Sequence, residues 1–319
     1  MHVKFTEWAR IYGDIFSLKL VGGTVTVLSS LEAVWHVLEH QHQVTSDRPP
    51  STIARMVADD LHFAIINADT RWKSYHRAAK VVLSPSAAER HKPVIQAETC
   101  QLLYDILNEP KGFFDHSRRS TTSIILSIVC GKRAPRHETP YVKEFYRLMP
   151  EWIRLLESGA ALDLVPALTY LPEVLAPWRA NVRKVRRWMH DLCMSTIEEC
   201  EEREAKGTSN GCALETVKEN AEEWKLTRPM VGFLGGVLVE TGSDTAGVSM
   251  HNMILMAMAN PEAQRRAYEE IDRVVGTERL PDYDDLSRMP YVKAFILEIS
   301  RLKPTAPAGF AHAASADVM

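Results

Sequence analysis

Along most of the chain, apolar positions recur at intervals of three and four residues, the spacing that gathers them on one face of a helix. Ile95, Leu102, Leu103 and Ile106 fall near one face within 88–107. Val182, Val185, Met189 and Leu192 form a stripe within 178–204. The same reading predicts helices over 71–83, stopping near Ser84-Pro85, over 120–130, ending at Gly131, and over 141–156. It adds 226–259, closed by Asn260-Pro261, then 261–275 and 290–302. Near the start the period shortens to two. Residues 14–20 and 24–29 predict strands, with a tight hairpin turn at Gly22-Gly23. Ser30 is placed to cap a helix running to about Glu39, and Arg48-Pro49-Pro50 stops regular structure. The expected fold class is mainly α with a small β region. No linker rich in Pro, Gly and Ser interrupts 1–319, so a single domain is expected.

Composition narrows the function classes. Hydrophobic residues make up 45% and charged residues 25% of the 319 positions, an ordinary globular balance. A net charge of -3 gives no broad basic surface, so no nucleic-acid partner is expected. The opening MHVKFTEWAR is interrupted by charge too early for a signal peptide or a span of about 20 apolar residues. The longest apolar region, 231–259, contains Glu240 and Asp244 and reads as a buried helix of a soluble protein. Five scattered cysteines (Cys100, Cys130, Cys193, Cys200, Cys212) make no C-x-x-C pair and predict reduced thiols in a cytosol-facing protein.

Residues 163–178 are apolar and broken by Pro166, Pro172 and Pro177. Arg179, Arg183, Lys184, Arg186 and Arg187 follow, with an acidic run at 198–202 further on. This order opposes the helix-dipole preference and reads mainly as a solvated face. Peripheral membrane contact through 163–187 and a plain core-covering loop are equal alternatives for the Pro-broken part.

The richest stretch is 235–247, with glycines at 235, 236, 242 and 247. Each costs a helix about 1 kcal/mol relative to alanine. Either another helix or a large flat ligand must therefore come close. Asp244 and Thr245 place a carboxylate beside a hydroxyl in an apolar setting, where they need partners or water and can pass protons to a bound reactant.

Thr241-Gly242-Ser243-Asp244-Thr245 resembles the central helix of the cytochrome P-450 family: a small residue, Gly, any residue, an acid, then Thr. Many members continue with Thr or Ser, where this chain has Ala246. The resemblance makes Thr245 the catalytic alcohol and Asp244 its acidic partner, with Gly242 against the cofactor. Glu298-Ile299-Ser300-Arg301 matches the E-x-x-R that forms the family's structural pair, in the family's order between 286–291 and the Pro-rich exit 301–307. Residues 71–77 resemble the W-x-x-x-R helix that contacts a heme propionate. Trp72, His76 (in the usual Arg position) and Arg77 are the implied cofactor residues. Residues 307–312 resemble the strand after the E-x-x-R helix, so His312 is also implied at a propionate. Residues 8–16 resemble the family's first helix and strand.

The resemblance implies a cytochrome P-450-like fold, heme, O2, a small apolar organic substrate, and electrons from NADPH through a reductase. It is nearest in style to fungal microsomal members on the cytosolic face of the endoplasmic reticulum membrane. The family's iron ligand is a cysteine in a Gly-rich loop preceded by Phe, and none of the five cysteines has that setting. The chain is thus expected to stop before that loop, leaving the E-x-x-R pair incompletely partnered, and alone to bind heme poorly with no thiolate spectrum. An inactive fragment and an unrelated helical protein that binds a partner through 226–259 remain as other readings.

Overall fold

The computed structural model describes residues 1–20 and 23–318. They gather into two compact units. The first comprises Met1–Ser84, Lys143–Val237 and Ala308–Met319, and the second Pro85–Val142 and Leu238–Pro307.

The first unit opens with α1 (His2–Tyr12), β1 (Ile15–Leu20) and β2 (Gly23–Leu28). The strands pair antiparallel, with Ile15 opposite Leu28 and Leu20 opposite Gly23. That register agrees with the expected hairpin, although Val21 and Gly22 at its tip lie outside the described residues. Phe16 anchors the hairpin by meeting the rings of Phe5 and Trp8 edge-on. The Ser30 hydroxyl caps the next helix, accepting from the Ala33 amide at 3.2 Å. The helix is α only over α2 (Leu31–Val34) and then widens to a π-turn at Trp35–His40. The wider turn brings Trp35 and His40, five residues apart, to 4.6 Å between ring centroids.

Short α3 (His42–Thr45) and α4 (Thr52–Ala58) follow, then α5 (Thr70–Val82). Helix α4 is too short to show a period, so the apolar pattern does not reveal it. Its start is set by the Ser51 hydroxyl, and that of α5 by the Asp69 carboxylate, which accepts from the Trp72 amide at 2.9 Å.

Next in the chain come α6 (Pro85–Asn108), α7 (Phe113–Cys130), α8 (Pro140–Leu164), α9 (Trp178–Ala205), α10 (Ala213–Glu219) and α11 (Arg228–Ala259). Helix α8 carries Pro150 internally and runs past the expected end at 156 into the Pro-broken segment. That segment then becomes two 3-10 turns, Pro166–Tyr170 and Glu173–Leu175. Helix α7 starts before the expected 120 because its first turns are polar, and part of that polarity is buried. Gly131 ends it in the left-handed region, φ 65°.

Within the first unit α4 packs on α9, where the Arg186 guanidinium grips Asp59 and donates to the Met56 carbonyl at 3.1 Å. The first half of α11 is buried on all sides from Met230 to Val239. At Gly235 and Gly236 the close neighbour is another helix, whereas a Cβ on Gly247 would meet only ordinary contact, 3.5 Å from Thr121 Oγ1. A Cβ on Gly235 would stand 2.6 Å from Thr196 Oγ1 and 2.7 Å from a Leu214 methyl. On Gly236 it would stand 2.3 Å from Cys193 Sγ and 3.0 Å from the Cys193 Cα, which is backbone and yields little. The Gly236→Val substitution is therefore expected to cost about 1–3 kcal/mol by overpacking, more than the few tenths that valine gains over glycine in helix propensity. A urea midpoint equal to or above that of the wild type would show that α9 moves aside.

The second unit is built on α6 against α7 and on α12 (Pro261–Val275) against α13 (Pro290–Leu302), with Asn252 of α11 donating to the Lys303 carbonyl at 2.9 Å. Between α6 and α7 lies a charged core. Arg119 and Glu98 are each only 2% exposed and form an ion pair. Arg119 Nε is 3.4 Å from Asp105, Arg133 Nε is 2.5 Å from Glu98, and Gln101 donates to Asp105 at 2.7 Å. Two arginines and two acids balance. Helix α13 begins where the buried Glu270 of α12 accepts from the Val292 amide at 2.9 Å. Just before it, Arg279 grips Asp285 at 2.6 and 2.7 Å and, with Arg288, holds that carboxyl well below the usual range.

Candidate active site

The second half of α11 carries the acid–alcohol pair in the second unit. Thr245 is exposed and Asp244 half-buried, so the expectation of an apolar setting for the pair is corrected: beyond Val239 only one face of α11 is buried, at Ser243 and Gly247, and Asp244 and Thr245 lie off it. The Thr245 hydroxyl donates to the Thr241 carbonyl at 2.5 Å, and Ser249 donates to the Thr245 carbonyl at 2.9 Å. With Thr241 donating to Leu238 at 3.4 Å, three hydroxyls one turn apart line one face. No side-chain or backbone donor among the described residues holds the Asp244 carboxylate. Gly242 faces α7: a Cβ there would stand 2.6 Å from Ile125 Cγ1. Packing alone accounts for that glycine.

Two neighbours escaped the sequence reading. Ser243, between Gly242 and Asp244, is fully buried, and its hydroxyl has no partner among the described residues. His251, about two turns beyond Asp244, packs on the Phe114 ring at 4.2 Å. Burial lowers its pKa, and Asp244 partly opposes that effect. Both are invisible to motif matching, since one is a motif's free position and the other lies outside it.

Glu298 and Arg301 form a two-point pair at 2.6 and 2.8 Å on α13. They are 53% and 68% exposed, so incomplete partnering carries no burial penalty.

The other implied residues belong to the first unit. On α5, Trp72 stacks on His76 with centroids 4.5 Å apart and planes 17° from parallel. His76 and Arg77 are both exposed. His312 shares a 2.7 Å hydrogen bond with the Thr45 carbonyl, which can only accept, so Nδ1 carries the proton and Nε2 is the nitrogen left for a ligand. The expected strand at 307–312 is reduced to a single bridge between Asp47 and Ala313. The Asp47 carboxylate accepts from the Ala68 amide at 3.0 Å, and Asn67 accepts from the Arg48 amide at 3.2 Å. Residues 45–48 thus tie His312 to the chain leading into α5. Beside them an open cavity of about 460 Å³ is lined by Arg48, Ser51, Arg55, His62, Ile66 and Arg71, among others. Arg48 reaches the Ala311 carbonyl at 2.9 Å.

Trp72, His76, Arg77 and His312 are not among the cavity's lining residues. By chemistry, the imidazole and guanidinium groups of His76, Arg77 and His312 are of the kind that donates to heme carboxylates. The iron is another matter. Cys130, Cys193, Cys200 and Cys212 are buried in helix packing, and Cys100 is exposed on α6. Among the described residues no group of three or more His, Cys, Asp or Glu side chains is arranged for a metal ion. No helix among them is long and apolar enough to cross a membrane.

A mainly helical fold with a small hairpin, and a glycine-rich helix bearing an acid–alcohol pair, together define the class. The chain belongs to the cytochrome P450 family, whose model matches residues 1–319. Among curated relatives it is 37% identical over 314 residues to a cytochrome P450 monooxygenase of Armillaria gallica, covering 98% of this chain and 60% of that protein. It is 33% identical over 326 residues to the cytochrome P450 monooxygenase yanC of Aspergillus niger, covering 99% and 61%. The chain therefore spans about 60% of the length of these relatives. A zebra fish cytochrome P450 structure with progesterone matches the fold at a TM-score of 0.78 and 18% identity, covering 95% of this chain and 71% of the other. The family match sets aside the reading of an unrelated helical protein.

Proposed function

We propose that this chain supplies the proton-handling helix and the carboxylate-binding residues of a heme-dependent monooxygenase. The reaction puts one atom of O2 into a small apolar organic substrate, with electrons from NADPH through a reductase. The observation that carries this is the Asp244–Thr245 pair on the open half of α11. Heme supplies the oxygen chemistry when bound. Asp244, free of protein donors, takes up and releases a proton. Thr245 presents its lone pairs, its own proton resting on Thr241. Trp72, His76 or Arg77, and His312 donate to the heme carboxylates, His312 through Nε2 when protonated.

Residues 1–319 are read as one partial family domain, at the cytosolic face of the endoplasmic reticulum membrane. Tyr170, Val174 and Leu175 are 86%, 92% and 64% exposed beside the basic start of α9. They support a peripheral membrane contact through 163–187.

The iron ligand is assigned outside the five cysteines. The test is a heme-loaded preparation containing this chain, reduced and treated with CO. The thiolate-type band should survive Cys→Ser substitution at each of the five positions. Loss of the band in any one variant would place the ligand there, and failure to take up heme at all would favour a chain without catalysis.

A further inference from the structure

We propose that Cys200 and Cys212 form a reversible disulfide when the protein meets a hydroperoxide. Their sulfurs lie 3.6 Å apart, Cys200 near the end of α9 and Cys212 just before α10. The Arg203 guanidinium sits over both, with Nη2 3.3 Å from Cys200 Sγ and 3.4 Å from Cys212 Sγ. Such placement favours a thiolate, the reactive form of cysteine. The Cys200 thiol hydrogen-bonded to it draws the Cys212 thiol down to about 7, the Glu215 amide and Arg203 assisting, burial and the Glu215 carboxylate opposing. No other cysteine pair on the chain is so placed among the described residues. In sequence the two are twelve positions apart, which hides them from a C-x-x-C search.

The geometry allows closure. A disulfide needs sulfurs about 2.05 Å apart, so the thiols must approach by roughly 1.5 Å. Cys212 directly follows Gly211, whose φ of 73° lies in the left-handed region and whose missing side chain lets the backbone swivel. Residues 205–211 are exposed, which gives a small oxidant a way in past the loop. The Glu215 carboxylate holds the Gly211 amide at 2.7 Å, so the thiol is presented from a tethered loop.

The chemistry balances in two steps. The Cys212 thiolate attacks one peroxide oxygen; an S–O bond forms, the O–O bond breaks, and hydroxide leaves and takes a proton to become water. The Cys200 sulfur then attacks Cys212; an S–S bond forms, the S–O bond breaks, and the departing hydroxide takes the Cys200 proton as a second water. Two thiols are oxidised by two electrons and one peroxide is reduced. The cross-link joins α9 to the start of α10, whose Leu214 packs directly against Gly235 of α11.

The test is hydrogen peroxide added to the native, purified chain, followed by alkylation and peptide mass spectrometry. Two of the five thiols should become unreactive, with one peptide joining Cys200 to Cys212 that a thiol reductant releases. In the Cys200→Ser variant, checked for folding by circular dichroism, a dione probe should trap a sulfenic acid at Cys212. The Arg203→Gln variant should form the disulfide roughly tenfold more slowly, through loss of thiolate. Oxidation confined to the exposed Cys100, or five thiols still alkylated, overturns the proposal. A rate unchanged in Arg203→Gln removes the guanidinium from it.

Discussion

Replacing Glu98 with alanine should destabilise the protein by about 3–5 kcal/mol, the cost of leaving a buried charge without its partner. Arg119 would keep a charge in a site 2% exposed, with Asp105 3.4 Å away as its remaining acid. Arg133, itself 51% exposed, would turn to water at little cost. The loss falls on Arg119 because solvent does not reach it. Typical domains are stable by only about 5–15 kcal/mol, so this one change consumes a fifth or more of that margin. Replacing three members together, Glu98→Leu with Arg119→Met and Asp105→Asn, should cost much less, since no buried charge is left behind and Gln101 can still donate to residue 105. Urea denaturation followed by circular dichroism compares the two. If the single and triple variants lose the same stability, packing rather than charge holds α6 to α7.

Converting Asp244 to asparagine should lower turnover of the heme-loaded enzyme at least a hundredfold, within the roughly 10²–10⁴ range of general acid–base contributions. The shape is kept and only the titratable proton is lost. Because no protein donor holds this carboxylate, its removal breaks no structural bond, and stability and substrate affinity should stay near the wild type. Thr245 makes a different contribution. To donate, its hydroxyl must first leave the Thr241 carbonyl, at a net cost of about 0.5–1.5 kcal/mol, too little to block the step. The Thr245→Ser variant should therefore keep most of the rate and Thr245→Val should not. An Asp244→Asn enzyme with full turnover and an unaltered pH profile would reduce the pair to a structural role.

Long amphipathic helices were legible because burial on one face writes a period into the sequence, as in α9, α12 and α13. The hairpin and the Ser30 cap were legible because their chemistry is local. Helix α4 and α10 were not, being seven residues each. The polar start of α7 hid a helical turn because Arg119 and its acids are buried as a balanced set, which composition cannot distinguish from a solvated face. The acid–alcohol motif stood out by residue type and spacing. Which of its members is exposed did not, because on α11 that depends on which helices pack beside it. The glycines drew notice for their cost, but that a neighbouring helix justifies Gly235, Gly236 and Gly242 required the positions of Leu214, Cys193 and Ile125. The thiol pair depended on the fold around residues 201–211 and left no local trace.

The fastening at Asp47 bears on how this protein diversifies. Its carboxylate holds the chain entering α5, and its backbone holds the Ala313 amide at 2.7 Å. Residues 49–66, which form much of the cavity wall, are thus a strap pinned at both ends by Asp47 and in the middle by the buried face of α4. Within the strap, α4 is held a third time by its packing on α9, so small changes in residues 60–66 reshape the cavity wall while Asp47 and α4 keep their places.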